Sequence, residues 1–489
     1  MRTGRNLMRD VELPTRDGQP YDLDFRFRMA LGAVDAAKVS QPKDVPRPPG
    51  PNGRAIVLNA LTRRRSMANS MVDVATQFPR IAHTKLRGED TYILTHPETI
   101  LAVMQTHGRD TSKGRGLQVA KVILGDGLLT SEGEDHLRAR RMIQPAFHKS
   151  RIASYAQDMV GSAVIHEQKW HYGKTIEVVG DMSSLTLAIV GKALFGSDLS
   201  GDASEVSEAL SAVLERFQFL MLPGARTTFR LPIKRNRDLR EAVDRLDMLV
   251  QRLITEHRAA GDNGDLLSMM IAAQEDGFAM DDAQLRDEAM TMVLAGHETT
   301  AMALSWTWYL LARNPSATQR LHAELDEVLA GRTPTFDDFA ALPFTTACVA
   351  ESMRLYPPAW MIGRRALTDI QVDEWTIPEG SLILASAFAM HRDPRFWPAS
   401  LGYQPQRWLT AEGRFSESAP GAPRGAWFPF GFSNRRCIGD QFAWTEAVLV
   451  LATLASKWRL ELTPGTVATA APAITLRPGG GISMVTHQR

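Results

Sequence analysis

Cysteine is nearly absent from this sequence of 489 residues, which holds only Cys348 and Cys437. A disulfide framework is thereby excluded, and a reducing compartment is the expected setting. An excess of either charge is also missing. Lysine and arginine total 56 against 55 aspartates and glutamates, which argues against nucleic acid as the main partner. A local basic patch for an acidic redox protein stays compatible with that balance. Residues 1–40 are broken by charges every few positions, so no signal peptide is expected there. No later window offers the roughly 20 apolar residues that a membrane helix needs. The expectation is a cytoplasmic protein without a transmembrane anchor. Internal repeats and low-complexity blocks are lacking too.

What is present is ordinary globular material, 44% hydrophobic and 23% charged. Residues 41–51 are rich in proline and predict a stiff segment. Residues 1–40 read as an irregular or partly helical leader, and structured chain is expected to begin at the proline-rich segment, with a leader over residues 1–50 and one domain over residues 51–489. Helices are predicted over residues 58–77 and 96–104, the second with Pro97 in its first turn. A short strand is expected over residues 92–95. Apolar residues at three- and four-residue spacing make residues 134–330 mostly helical, with breaks at 222–225 and 261–264. Short β-like runs come late, near residues 370–372, 382–384 and 482–485. The fold class is mainly α with small β-sheets.

Residues 428–440 read Phe-Pro-Phe-Gly-Phe-Ser-Asn-Arg-Arg-Cys-Ile-Gly-Asp, followed by an apolar helix predicted over residues 442–454. Cys437 therefore stands at a helix start, where exposed N–H groups and the helix dipole favour an anion. Arg435 and Arg436 add positive charge, and such a setting favours a thiolate. The bland alternative is a buried, inert thiol. A second long helix is predicted over residues 282–314, with Leu-Ala-Gly-His-Glu-Thr-Thr-Ala at its centre, residues 294–301. Glycine in mid-helix costs about 1 kcal/mol against alanine, and adjacent threonines can bond back to carbonyls and bend the helix. A solvated face, a packing kink or a functional site would each explain them.

These segments resemble the cytochrome P450 superfamily. Phe430, Arg435, Cys437 and Gly439 fit its haem loop, Phe-x-x-Gly-x-Arg-x-Cys-x-Gly, with Ser433 where the family has a glycine. Ala295, Gly296, Glu298 and Thr299 match its acid–alcohol signature. The resemblance implies the cytochrome P450 fold, with haem b (iron protoporphyrin IX) between the long central helix and the cysteine-loop helix. It implies Cys437 as axial thiolate ligand of the iron, which favours O–O cleavage. Arg435 would meet a haem propionate, and Phe430 would pack near the sulfur. Gly296 would leave room for dioxygen, Thr299 would hydrogen-bond oxygen and order water, and Glu298 would feed in protons. His297 is expected at the pocket edge or in a structural role, and Thr300 in a structural one. By the same resemblance His136 and Arg140, four apart on one helical face, are propionate partners. So is Arg364, a shift by one residue onto Arg365 staying open. Glu351 and Arg354, alone a common surface pair, match the family's Glu-x-x-Arg. Arg407 would complete a buried network with them. Cys348 has no helix start and no neighbouring cation, and is expected in the core.

The implied activity is insertion of one oxygen atom from O2 into a hydrophobic small molecule, by hydroxylation or epoxidation. Electrons would come from a separate ferredoxin with its reductase, or from a flavoprotein, docking near the cysteine-loop face. Residues 111–131, 216–222 and 359–362 and the surroundings of Val293 are expected to line the pocket. They are largely apolar and point to a fatty acyl, terpenoid or polyketide-like substrate. Two alternatives stay open: a haem-thiolate isomerase or dehydratase, against which Glu298 and Thr299 speak, and a haem sensor without turnover.

Overall fold

A computed structural model describes residues 14–36, 46–62, 65–86, 88–196, 209, 231, 233–261, 264–275 and 277–489. Helices dominate it and the sheets are small. The chain divides into two compact units. The first comprises Met1–Ala37, Gly116–His148 and Leu187–Ala295, the second Lys38–Arg115, Lys149–Thr186 and Gly296–Arg489. The backbone passes between them five times, three of them within a helix, Arg115–Leu124, Val178–Phe195 and Asp282–Ala312. No linker therefore marks a boundary in the sequence.

The first unit is helical. In Lys234–Ala260 the residues Leu239, Val243, Leu246, Val250 and Ile254 recur at helical spacing and are buried, the mark of an amphipathic helix laid on a core. Gly133–Ile143 carries His136 and Arg140. Structured chain does not wait for the proline-rich segment, contrary to the expectation. Thr15–Arg16 pairs with Gln19–Pro20, and Leu23–Ala36 is a helix. Tyr21, Leu23, Phe25 and Phe27 are all buried. The charges along this segment include Arg26, which is itself 1% exposed.

The second unit is organised on a five-stranded sheet in the order Ile81–Leu86, Glu89–Leu94, Leu382–Ala385, Ile362–Ala366, Thr111–Lys113. Glu89–Leu94 and Leu382–Ala385 run parallel and the other pairs antiparallel. The expected strands missed three of these five, Ile81–Leu86, Thr111–Lys113 and Ile362–Ala366. Thr111–Lys113 is too short to show alternation, and Ile81–Leu86 carries polar residues on both faces. The helix predicted over residues 58–77 is two helices, Gly53–Leu61 and Met67–Gln77. Ser66 separates them, its hydroxyl accepting from Asn69 N at 3.2 Å as the second helix's cap. Asp440–Ala455 is apolar on all sides and buried from Trp444 onward, so it forms core. One apolar helix escaped notice: Val178–Phe195 is long and apolar enough to cross a membrane, by length and composition only, with 67% of it buried. Asp181 and Lys192 interrupt its run in the sequence.

Candidate active site

The cysteine loop closes on itself through a hydrogen bond from Cys437 N to Phe430 O, 2.8 Å. Gly431 has φ +77° and Ser433 φ +53°. Ser433 thus keeps the left-handed conformation suited to glycine, at roughly 1–2 kcal/mol of steric cost. The Phe430 ring packs on Trp444, centroids 5.8 Å apart. Cys437 lies just before Gly439, the N-cap of the helix, and is exposed. Cys348 is fully buried, and burial pushes its thiol well up, as a core residue requires. One expected source of positive charge is cancelled: Arg436 pairs with Asp440 at 2.7 Å and Glu417 at 3.2 Å. Arg435 reaches the other way, its Nη1 donating to Thr111 O at 2.7 Å.

That bond ties the loop to the strand Thr111–Lys113. In the register Lys113 stands opposite Arg364, and the two are 4% and 8% exposed. Opposed residues on antiparallel strands share a face, and like charges there repel. Buried cations need polar partners, and Arg364 Nη1 donates to Gly363 O at 3.1 Å. Arg435 is bonded to Thr111 of the strand pair that carries the opposed Lys113 and Arg364, and cations of this kind suit a group bearing carboxylates. Arg365 is committed elsewhere: it pairs with Glu89 at 2.8 Å and donates to Gly380 O at 2.7 Å. Strand alternation turns it to the opposite face from Arg364. Arg364 therefore stands on the Lys113 side of the strand pair and Arg365 on the Glu89 side. Lys113 was missed, because a lone lysine in a three-residue strand has no sequence signature. In the first unit the His136 ring is buried, with Nδ1 3.1 Å from Leu128 O. Arg140 follows one turn on, half-buried.

The long helix is continuous α-helix from Asp282 to Ala312, so its glycine and threonines do not break it. Ala295, Gly296 and Thr299 are half-buried, and His297, Glu298 and Thr300 buried. Glu298 Oε1 accepts from Arg477 Nε at 2.7 Å and from Thr475 Oγ1 at 2.9 Å. Neither donor was foreseen, since both come from the far end of the chain. Burial pushes His297 down to about 4, so it is a neutral ring and adds no charge. Thr300 faces the Glu446 carboxyl, which is fully buried on the cysteine-loop helix and pushed up by burial to about 8. Glu446 was also overlooked, although a lone carboxyl within so apolar a helix was a visible signal.

A family model for cytochrome P450 matches residues 48–480. The chain belongs to the cytochrome P450 family. It is similar to cyclooctatin synthase of Streptomyces melanosporofaciens, 38% identical over 82% of this chain and 87% of that protein. It is also similar to cyclooctat-9-en-7-ol 5-monooxygenase of the same organism, 36% identical over 79% and 83%. Pentalenene oxygenase of Streptomyces avermitilis is 34% identical over 76% and 82%. The cation cluster at Lys113, Arg364 and Arg435 and the exposed thiol of Cys437 fit the cofactor of this family, iron protoporphyrin IX, on an acidic edge and at the metal. This P450 is a haem-thiolate monooxygenase: it inserts one atom of O2 into a hydrophobic substrate with electrons from a redox partner.

The supporting network of this P450 is present in full. Arg354 meets Glu351 through two bonds of 2.8 Å, and Arg407 Nε reaches the same carboxylate at 3.1 Å. Trp408 Nε1 and Gln404 N each donate to it at 2.9 Å. Arg354 continues to His391 O at 2.7 Å, and His391 Nε2 accepts from Phe428 N at 3.1 Å, so the network braces the start of the cysteine loop. Of the expected pocket residues, Trp360 is committed to the core: it is buried against Phe388 and Leu476 and donates to Ala473 O at 3.0 Å. Residues 216–222 lie outside the described residues.

Proposed function

We propose that this P450 oxygenates a terpenoid-like hydrocarbon or its alcohol in the cytoplasm, with a ferredoxin and its reductase as electron source. Residues 51–489 act as one catalytic domain. The relatives support the substrate class: two are named for an alkene, pentalenene, and an alkenol, cyclooctat-9-en-7-ol. The apolar character of the expected lining segments agrees with it. A cavity of about 500 Å³ beside the cysteine loop, lined in part by Gln105, Glu417, Arg424, Trp427 and Arg436, supports docking of the donor on that face.

The observation that carries the residue roles is the grip of Arg477 and Thr475 on Glu298. Cys437 Sγ would hold the iron, and Arg435, Arg364 and Lys113 would hold propionate; for His136 and Arg140 the same role rests on the family resemblance alone. The bound haem supplies oxygen activation; the chain supplies position and protons. Glu298 needs to be both buried and reachable. Its side chain is 2% exposed, and its partner Arg477 is 27% exposed, which connects the carboxylate to solvent. Thr475 and Arg477 both occupy Oε1, so the second oxygen is the one turned to proton transfer. Thr299, the next residue and half-buried, orders water with its hydroxyl and passes the proton on.

The deciding experiment is the spectrum of the reduced, carbon monoxide-bound protein. A strongly red-shifted Soret band that disappears in Cys437→Ala is expected. Its absence from the wild type would overturn the ligand assignment. Thr299→Ala should let electron consumption run ahead of product, and unchanged coupling would remove Thr299 from the relay. Turnover of fatty acids but no terpenoid alkene would replace the substrate reading.

A further inference from the structure

Residues 14–36 precede the stretch that the family model matches, yet they enter the interior of the first unit. Tyr21 and Phe25 pack on Ala283 of the long helix. Arg26 meets Asp247 at 2.6 Å and donates to Ile123 O at 3.3 Å. Arg286 converges on the same Asp247, with Nε to Oδ1 2.8 Å. It also pairs with Asp287 at 2.9 Å and donates to Ile123 O at 2.9 Å. Tyr21 Oη donates to Asp287 Oδ2 at 2.7 Å. The cluster thus sets two arginines against two aspartates, with side chains no more than 5% exposed. Without Arg26, Arg286 alone would face both buried carboxylates.

The cluster lies directly under a turn of the chain. Asp126 N donates to Asp287 Oδ2 at 2.6 Å, and Ile123 O takes both arginines. Leu128 N donates to Glu288 Oε2 at 2.8 Å, and Leu128 O holds His136 Nδ1. Gly125 has φ +68°, and a Cβ there would sit 1.9 Å from Asp287 Oδ1. The turn is pressed so closely onto the cluster that a side chain at residue 125 would lift it off. Surface turns ordinarily open at little free-energy cost. Fastening this one at Ile123, Asp126 and Leu128 to buried charges removes that freedom.

We infer that residues 14–36 form a strap whose Tyr21 and Arg26 are positioning residues: through the buried cluster they fix residues 121–131, and through Leu128 the His136 ring. This rests on the reading that residues 111–131 line the substrate pocket and that His136 serves the haem. The strap gives this P450 a pocket wall set from a segment outside the family's matched region.

The test compares Tyr21→Phe and Arg26→Met with the wild-type holoprotein by hydrogen exchange and by Soret titration with 4-phenylimidazole. Exchange at residues 121–131 should quicken about tenfold in Arg26→Met and about threefold in Tyr21→Phe, which keeps the fold, as local opening becomes easier. Affinity for 4-phenylimidazole should fall about fivefold in Arg26→Met, as the binding-competent wall becomes less populated. Arg240→Ala removes a surface pair with Asp24 outside the buried cluster and should leave both readings unchanged. Exchange at residues 121–131 within about twofold of wild type in both strap variants overturns the inference. So does faster exchange spread evenly through the first unit with azole affinity unchanged, the sign of simple destabilisation. Loss of the thiolate Soret band would instead overturn the functional reading and leave the exchange result standing.

Discussion

Two buried charge clusters brace this P450, and they are built on opposite plans. In the second unit a single carboxylate, Glu351, receives Arg354, Arg407, the Trp408 indole and the Gln404 amide. Its members come from two short segments, and Glu351 and Arg354 are three residues apart on one helix. In the first unit two aspartates are balanced by two arginines, and Arg26 meets its partner Asp247 across 221 residues of sequence. The first cluster satisfies one charge with many donors. The second is held together only as long as every member stays. Buried pairs of either kind are weak evidence of net stability, but removing one partner strands the other at a large cost.

The largest effect is expected from Glu351→Gln, which leaves the fully buried Arg354 without its counter-charge. A loss of about 5 kcal/mol in urea unfolding is expected, and a loss below about 1 kcal/mol would show that backbone carbonyls alone satisfy Arg354. Next comes Glu446, the buried carboxyl with no cation beside it. Burial raises it from 4.5 to about 8. Between those values the folded state holds a proton that the unfolded chain releases, so stability falls as pH rises through that window. Glu446→Gln should abolish this slope and gain on the order of 4 kcal/mol over wild type at pH 9. Parallel stability–pH curves for the two proteins would show that Glu446 titrates normally. Arg286→Met, which leaves Asp247 and Asp287 to Arg26 alone, should cost about 3 kcal/mol by thermal unfolding. If it costs far less, the first-unit cluster tolerates an empty place and the claim that it needs every member fails. The smallest effect belongs to Arg240→Ala: its pair with Asp24 has side chains 31% and 50% exposed, and a change under about 0.5 kcal/mol is expected.

The contrast also explains what was legible. Glu351 and Arg354 could be placed from spacing and a motif because one helix turn puts them side by side. Cys437, Arg435 and Phe430 could be placed because the loop that joins them is local. Glu298 could be named, but not its partners, since Thr475 and Arg477 are brought to it by a hairpin near the end of the chain. Lys113 acquires meaning only from its register against Arg364. The order of residues 14–36 was misjudged for a related reason. Frequent charge argues for solvent, and only long-range partners such as Asp247 allow Arg26 to be buried.

The sequence by itself determined the family, the helical class, the thiolate loop and the acid–threonine pair, because each is written in residues close along the chain. Tertiary structure alone decided that Arg364 stands opposite Lys113 while Arg365 pairs with Glu89, that Arg436 is neutralised, what holds Glu298, and that burial raises the Glu446 carboxyl. It also decided that the N-terminal segment belongs to the interior. Those outcomes depend on burial and on contacts between distant segments, and a local pattern carries no information about either until the chain has closed on itself.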